Sequence, residues 1–172
     1  VELNMALSLL DEISYEVLRI IAGAHVYYRL TNIGTSCLNT DPCRELELIN
    51  QHLKKLENQV LNPREFLDSH PGLEEYLRWY SVSKPEETLN RVIKSAHGFA
   101  LSGLGNCAKN KGELNKAEEY SSKAAEIAHE LREWVNYLIG KVHAIGIMVL
   151  RGESLEKVVN EFEELWGETL QR

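Results

Sequence analysis

The sequence predicts an all-α protein on three observations. Apolar residues recur at intervals of three and four along most of the chain, the period of a helix with one buried face. Runs of strictly alternating apolar and polar residues, which would mark half-buried strands, are missing. Helix starts and stops are written in the local chemistry: three of the four prolines sit where a helix would begin, and two of the glycines sit where one would end. The expectation is roughly eight helices of about 10–20 residues each.

Taken in order, Leu3, Leu7, Leu10, Val17 and Ile21 line one face of the first segment. Asp41 before Pro42 reads as an N-cap followed by proline in the first helical position. Leu46, Ile49, Leu53, Leu56 and Val60 then form a single stripe on an otherwise charged helix. Asn62-Pro63-Arg64-Glu65 repeats the start signal, and His70-Pro71-Gly72 reads as a turn. A short stripe follows at Leu73, Tyr76, Leu77 and Tyr80. Ser83-Lys84-Pro85-Glu86 reads as a capping box before a helix carrying Leu89, Val92, Ile93 and Ala96. Gly112 and Gly152, in Lys-Gly-Glu and Arg-Gly-Glu, read as left-handed helix stops. The segment Trp134 to Leu150 is apolar nearly all round, so it should lie centrally in the fold or in an oligomer contact. The last helix, Ser154 to Leu170, is amphipathic through Leu155, Val158, Val159, Phe162, Leu165 and Trp166.

Composition narrows the function classes. The chain has 172 residues, 44% of them apolar, enough for one packed all-α domain spanning 1–172. The formal net charge is −7 and no Lys/Arg run exceeds two residues, so nucleic acid is not an expected partner. No apolar run approaches the roughly 18–20 residues that span a bilayer, so no membrane is expected either. No secretory leader pattern is visible, and Val1 in first place suggests a trimmed chain or a segment of a longer polypeptide. The three cysteines, Cys37, Cys43 and Cys107, are expected as free thiols in a reducing, cytoplasmic setting. The alternative is a Cys37–Cys43 bridge across the turn between them.

The stretch Leu101 to Ala128, LSGLGNCAKNKGELNKAEEYSSKAAEIA, carries the most specific pattern. Leu104-Gly105, Gly112, Ala117 and Ala124 have the spacing of a helix–turn–helix unit of about 34 residues. This stretch resembles the tetratricopeptide repeat family. Gly105 would let the paired helix approach, Gly112 would form the turn, and Ala117 and Ala124 would sit where the helices nearly touch. Departures are Leu101 at the family's tryptophan, Ser121 at its aromatic position with Tyr120 one residue early, and His129 at its proline.

A looser echo links Arg19-Ile-Ile-Ala-Gly-Ala-His25, Leu30 to Gly34 and Cys37 with Arg91-Val-Ile-Lys-Ser-Ala-His97, Leu101 to Gly105 and Cys107. The resemblance implies an array of antiparallel helix hairpins, either an α-solenoid or a compact bundle. Its degenerate units would cover 18–61 and 66–97, its best-matching unit 98–131, and a further unit with a capping helix 134–170.

Glycine beside lysine in this stretch also invites a phosphate-loop reading, but Gly112 is followed by Glu113 and no strand precedes it. The six histidines show no i,i+3 or i,i+4 pair and no CxxC or HExxH exists, so neither a metal nor any other cofactor is expected. The adjacent pairs Glu74-Glu75, Glu86-Glu87, Glu118-Glu119 and Glu163-Glu164 point about 100° apart on a helix and read as solvated faces.

Two functional readings follow. The tetratricopeptide resemblance implies protein–protein interaction, as a scaffold, an adaptor or the sensor segment of a larger regulator. Its groove would be lined by Phe99, Ser102, Asn106, Lys109 and Asn110. In family members that clamp peptide carboxylates, the position of Asn106 is often Asn, and Lys109 and Arg29 would supply cations. Homo-oligomerisation through the Trp134–Leu150 helix is a further expectation. The alternative is a metal-independent ribonuclease resembling HEPN domains, with Arg19 and His25, or Arg91 and His97, as phosphate-holding Arg and general-base His at a dimer interface. No catalytic residues are assigned on the preferred reading.

Overall fold

The computed structural model describes residues 5, 7–9, 16–33, 41–80 and 84–170. Among them the secondary structure is helical, with no strand. Eight helices follow one another: α1 (Glu16–Ile33), α2 (Pro42–Gln59), α3 (Pro63–Asp68), α4 (Pro71–Tyr80), α5 (Pro85–Asn110), α6 (Leu114–Glu130), α7 (Trp134–Leu150) and α8 (Leu155–Leu170). Helical backbone at residues 5 and 7–9 precedes α1; Leu3 and Leu10 of the first apolar stripe lie outside the described residues.

Two of the expected starts form as read. The Asp41 carboxylate accepts from the backbone N–H groups of Cys43 (3.0 Å) and Arg44 (3.4 Å), satisfying donors that no helical carbonyl reaches. The Asn62 side chain accepts from Glu65 N–H at 3.4 Å. Pro71 opens α4 rather than closing a turn, because its fixed φ suits a first helical position. Ser83 lies outside the described residues; α5 begins after Lys84, which makes no side-chain cap, and Glu86 instead meets Arg64 at 3.3 Å.

α5 is the axis of the fold. It runs unbroken for 26 residues, so the expected boundary between units at 97 and 98 falls inside a helix. Gly98 alone does not break it, since an interior glycine costs only about 1 kcal/mol. α1 and α2 pack on α5 together with α3 and α4, and α6 packs beside it. The main core joins Ile21 and Ala24 of α1, Leu46 and Leu53 of α2, Leu67, Leu73 and Leu77, and Leu89, Ile93 and Ala96 of α5. α7 then stacks on α6, and α8 on α7.

Gly112 and Gly152 adopt φ of +76° and +74°, the left-handed stops read from the sequence. The contact at Gly105 also forms: a Cβ there would lie 2.9 Å from Ser121 Oγ and 3.4 Å from the Ala117 carbonyl. Ser121 is buried at this crossing, which leaves no room for an aromatic ring.

Of the two places expected for the Trp134–Leu150 helix, the single chain does not provide a wholly central one: Tyr137, Gly140 and Met148 are buried, but Val135, Val142 and Val149 are exposed. The face opposite α6 has no neighbour among the described residues. Cys43 and Cys107 are joined by a disulfide, with Cα atoms 5.8 Å apart, so Cys43 is not bridged to Cys37, which lies outside the described residues. Spacing along the chain could not reveal this pair, 64 residues apart, because the packing of α2 on α5 creates it. Such bonds persist in oxidising compartments, which runs against the reducing setting expected from the cysteine count.

Candidate functional site

A groove runs over α6 between α5 and α7. On α5, Ser95, Ser102 and Lys109 recur every seven residues and so share one stripe. On α7, Asn136, Ile139 and His143 do the same at steps of three and four. Ala124, Ile127 and Ala128 of α6 form the floor, and Tyr28 of α1 closes one side. The groove is open to solvent, and its cavity volume is only about 20 Å³. Gly98 keeps α5 low over the floor: a Cβ there would sit 3.4 Å from Ile127 Cγ2.

The groove is apolar along its length and polar near its ends. Phe99 supplies an aromatic wall, with its ring 4.2 Å from His25 and 5.4 Å from Tyr28, centroid to centroid. Glu133, at the corner between α6 and α7, accepts from Asn136 Nδ2 at 2.9 Å and from Ser95 Oγ at 3.4 Å. His25 is pushed below the usual histidine range by burial; the nearby Glu133 charge opposes that shift and Arg29 adds to it. Further along, burial likewise holds His143 down, and the Lys109 charge adds to the effect. Lys109 has no ion-pair partner among the described residues.

The expected groove residues separate into three groups. Phe99 and Ser102 line the groove. Lys109 is half-buried on the same stripe, while Asn110 is exposed at the last position of α5. Asn106 is not available to hold a peptide: it is buried, and its amide donates to Asn32 Oδ1 at 2.9 Å and Thr31 Oγ1 at 3.3 Å. Its step from Ser102 turns it toward α1, where a buried amide needs partners and finds them. Arg29 lies against the Tyr28 ring, 5.9 Å from its centre. Sequence reasoning missed Glu133, Asn136 and Ile139, because they belong to the following helix and reach the groove only through the stacking of α7 on α6.

The arginine–histidine pairs point apart. His97 is buried, with Nδ1 2.8 Å from Glu57 of α2, whereas exposed Arg91 donates to the Leu131 carbonyl at 3.3 Å. Arg19 lies in a cleft with Gly23, Glu45 and His52, while His25 stacks on Phe99. Six residues on a helix turn the side chain by about 240°. Among the described residues no group of three or more His, Cys, Asp or Glu side chains gathers as a metal site, and no helix is long and apolar enough to cross a membrane.

Comparison with known proteins finds no match to a family model, a curated protein or a solved structure.

Proposed function

We propose that this chain is a protein–protein interaction module whose α5–α7 groove binds an extended segment of a partner protein, in the manner of a tetratricopeptide-like array acting as scaffold, adaptor or sensor. The observation that carries the reading is the groove itself. Its apolar slot, formed by Phe99, Ile127 and Ile139, lies between a carboxylate at Glu133 and a cation at Lys109. An apolar side chain packed against this open slot would exclude water around it. Lys109 is placed to pair with an acidic group of the ligand, and Glu133 with a donor. The close-packed corner of α5 and α6 at Gly105 and Gly112 supports the hairpin reading, and the long α5 departs from a regular array of equal units.

The test is selection from a library of displayed random peptides on the intact protein, followed by measured affinities. Enriched peptides should share an apolar anchor with an acidic group nearby. Ser102→Trp, which fills the groove from an only half-buried position, should weaken binding by at least about tenfold, equivalent to about 1.4 kcal/mol. Lys109→Glu should reverse the preference for acidic peptides. No enrichment, or equal binding by the filled-groove variant, defeats the proposal.

A further inference from the structure

α7 turns a wholly apolar face away from α6. Val135, Val142, Gly146 and Val149 follow each other at steps of seven, four and three, and exposures reach 71% at Val135 and 57% at Val149. α8 carries a second stripe at Leu155, Val159, Phe162 and Trp166, continued by Leu170, with Leu155 77% and Trp166 58% exposed. At these exposures the two stripes present on the order of 1,000 Å² of apolar surface. An ordinary monomer's largest patch is roughly 300–600 Å², and a standard interface takes roughly 800 Å² from each partner.

Gly146 adds an independent observation. Where this chain places glycine inside a helix at a crossing, a neighbour lies close: Gly105 faces Ser121, and Gly140 lies against Ala125. At Gly146 an added Cβ would meet nothing within 4 Å, yet the residue sits mid-helix in the exposed stripe. Glycine there costs about 1 kcal/mol of helix stability with no packing return among the described residues.

Charge selects the arrangement. Between Trp134 and Leu150 the one formally charged side chain is Lys141. α8 carries Glu156, Glu161, Glu163, Glu164 and Glu168 against Lys157. Packing α8 on its own copy would set two acidic helices side by side, whereas α7 on α8 sets a neutral-to-basic helix against an acidic one. We infer that the chain forms a two-fold homodimer in which α7 of each protomer packs on α8 of the other, with Gly146 at the closest approach. The inference is independent of ligand binding in the groove.

Sedimentation velocity from about 1 to about 100 μM tests it. The wild type should show a species of about twice 19.6 kDa within this range. Val142→Glu combined with Phe162→Glu, both at exposed positions, should give a monomer of unchanged helical circular dichroism, with association weakened at least about 100-fold. Gly146→Ala should weaken association while raising the unfolding midpoint in the monomeric double-variant background. A wild type that stays monomeric throughout overturns the inference, whatever else covers this face. So does a double variant that remains dimeric. Should the double variant misfold, Gly146→Ala decides alone: unchanged dimer dissociation overturns the assignment.

Discussion

From Pro85 onward the chain turns the same corner three times, whereas the described connections from α2 to α3 and from α3 to α4 do not use it. Gly112, Arg132 and Gly152 lie 20 residues apart and all adopt positive φ, of +76°, +57° and +74°. At each corner the following Glu donates its N–H back to a helix carbonyl: Glu113 to Ala108, Glu133 to Ala128 and Glu153 to Met148. Between these corners helices meet through small residues, Gly105 against Ser121 and Gly140 against Ala125. The N-terminal part works differently. Side chains cap its helices at Asp41 and Asn62, and large leucines such as Leu46, Leu53, Leu67 and Leu77 interlock at full burial. One part holds its helices by backbone approach at a few atoms, the other by many side-chain contacts and a cross-link. The two should therefore fail under different substitutions.

The largest expected effect lies in the N-terminal part. The Cys43–Cys107 bond ties α2 to α5 across 64 residues, and closing a loop of that length is worth about 4 kcal/mol on chain-entropy grounds. Urea unfolding with and without a thiol reductant should show that loss, and Cys43→Ser with Cys107→Ser should reproduce it. Coincident transitions would mean that packing alone holds α2 in place.

Two glycine substitutions sharpen the contrast. At Gly140 an added methyl would meet Ala125 Cβ at 2.9 Å and its backbone at 3.2 Å, neither of which can move without shifting α6. Gly140→Ala should cost about 1–2 kcal/mol despite the better helix propensity of alanine. At Gly23 the same methyl meets only the tip of Ile49 at 3.0 Å, which can rotate aside. Gly23→Ala should be near neutral or stabilising by up to about 1 kcal/mol. Equal effects in chemical denaturation would erase the distinction between the two parts.

Much of the fold was legible because its signals are local. Asp41, Asn62, Gly112 and Gly152 each fix a helix end through atoms within a few residues, and all four read correctly. The helical class followed from the apolar period, the missing strand alternation and these local starts and stops. What failed depends on contacts between distant segments. Cys43 meets Cys107 only after α2 packs on α5. Asn106 shares the composition of a groove residue, but one helical step turns it toward Thr31 and Asn32. The exposure of Val135 and Val142 is equally invisible to periodicity, since an exposed apolar face reads like a buried one. Of the residues lining the candidate groove, Phe99 and Ser102 were expected from the resemblance; Glu133 was not, because it arrives from the next corner.

The 20-residue period itself escaped notice because its middle member is arginine. Arg132 holds the conformation that Gly112 and Gly152 hold, at φ +57°, where a Cβ crowds the following carbonyl. That crowding costs an L-residue roughly 1–2 kcal/mol in the left-handed region, and a Cβ-free residue escapes it while losing more entropy from the unfolded chain. Arg132 is exposed and makes no ion pair among the described residues, so little else opposes the change. Arg132→Gly should therefore stabilise the fold by about 0.5–1 kcal/mol, seen as a higher urea midpoint at unchanged slope. The complementary change, Gly112→Arg, should destabilise by about 1 kcal/mol, since the two corners share one backbone geometry. If Arg132→Gly instead lowers the midpoint, the side chain contributes something its corner geometry does not reveal, and the three corners are equivalent in shape but not in energy.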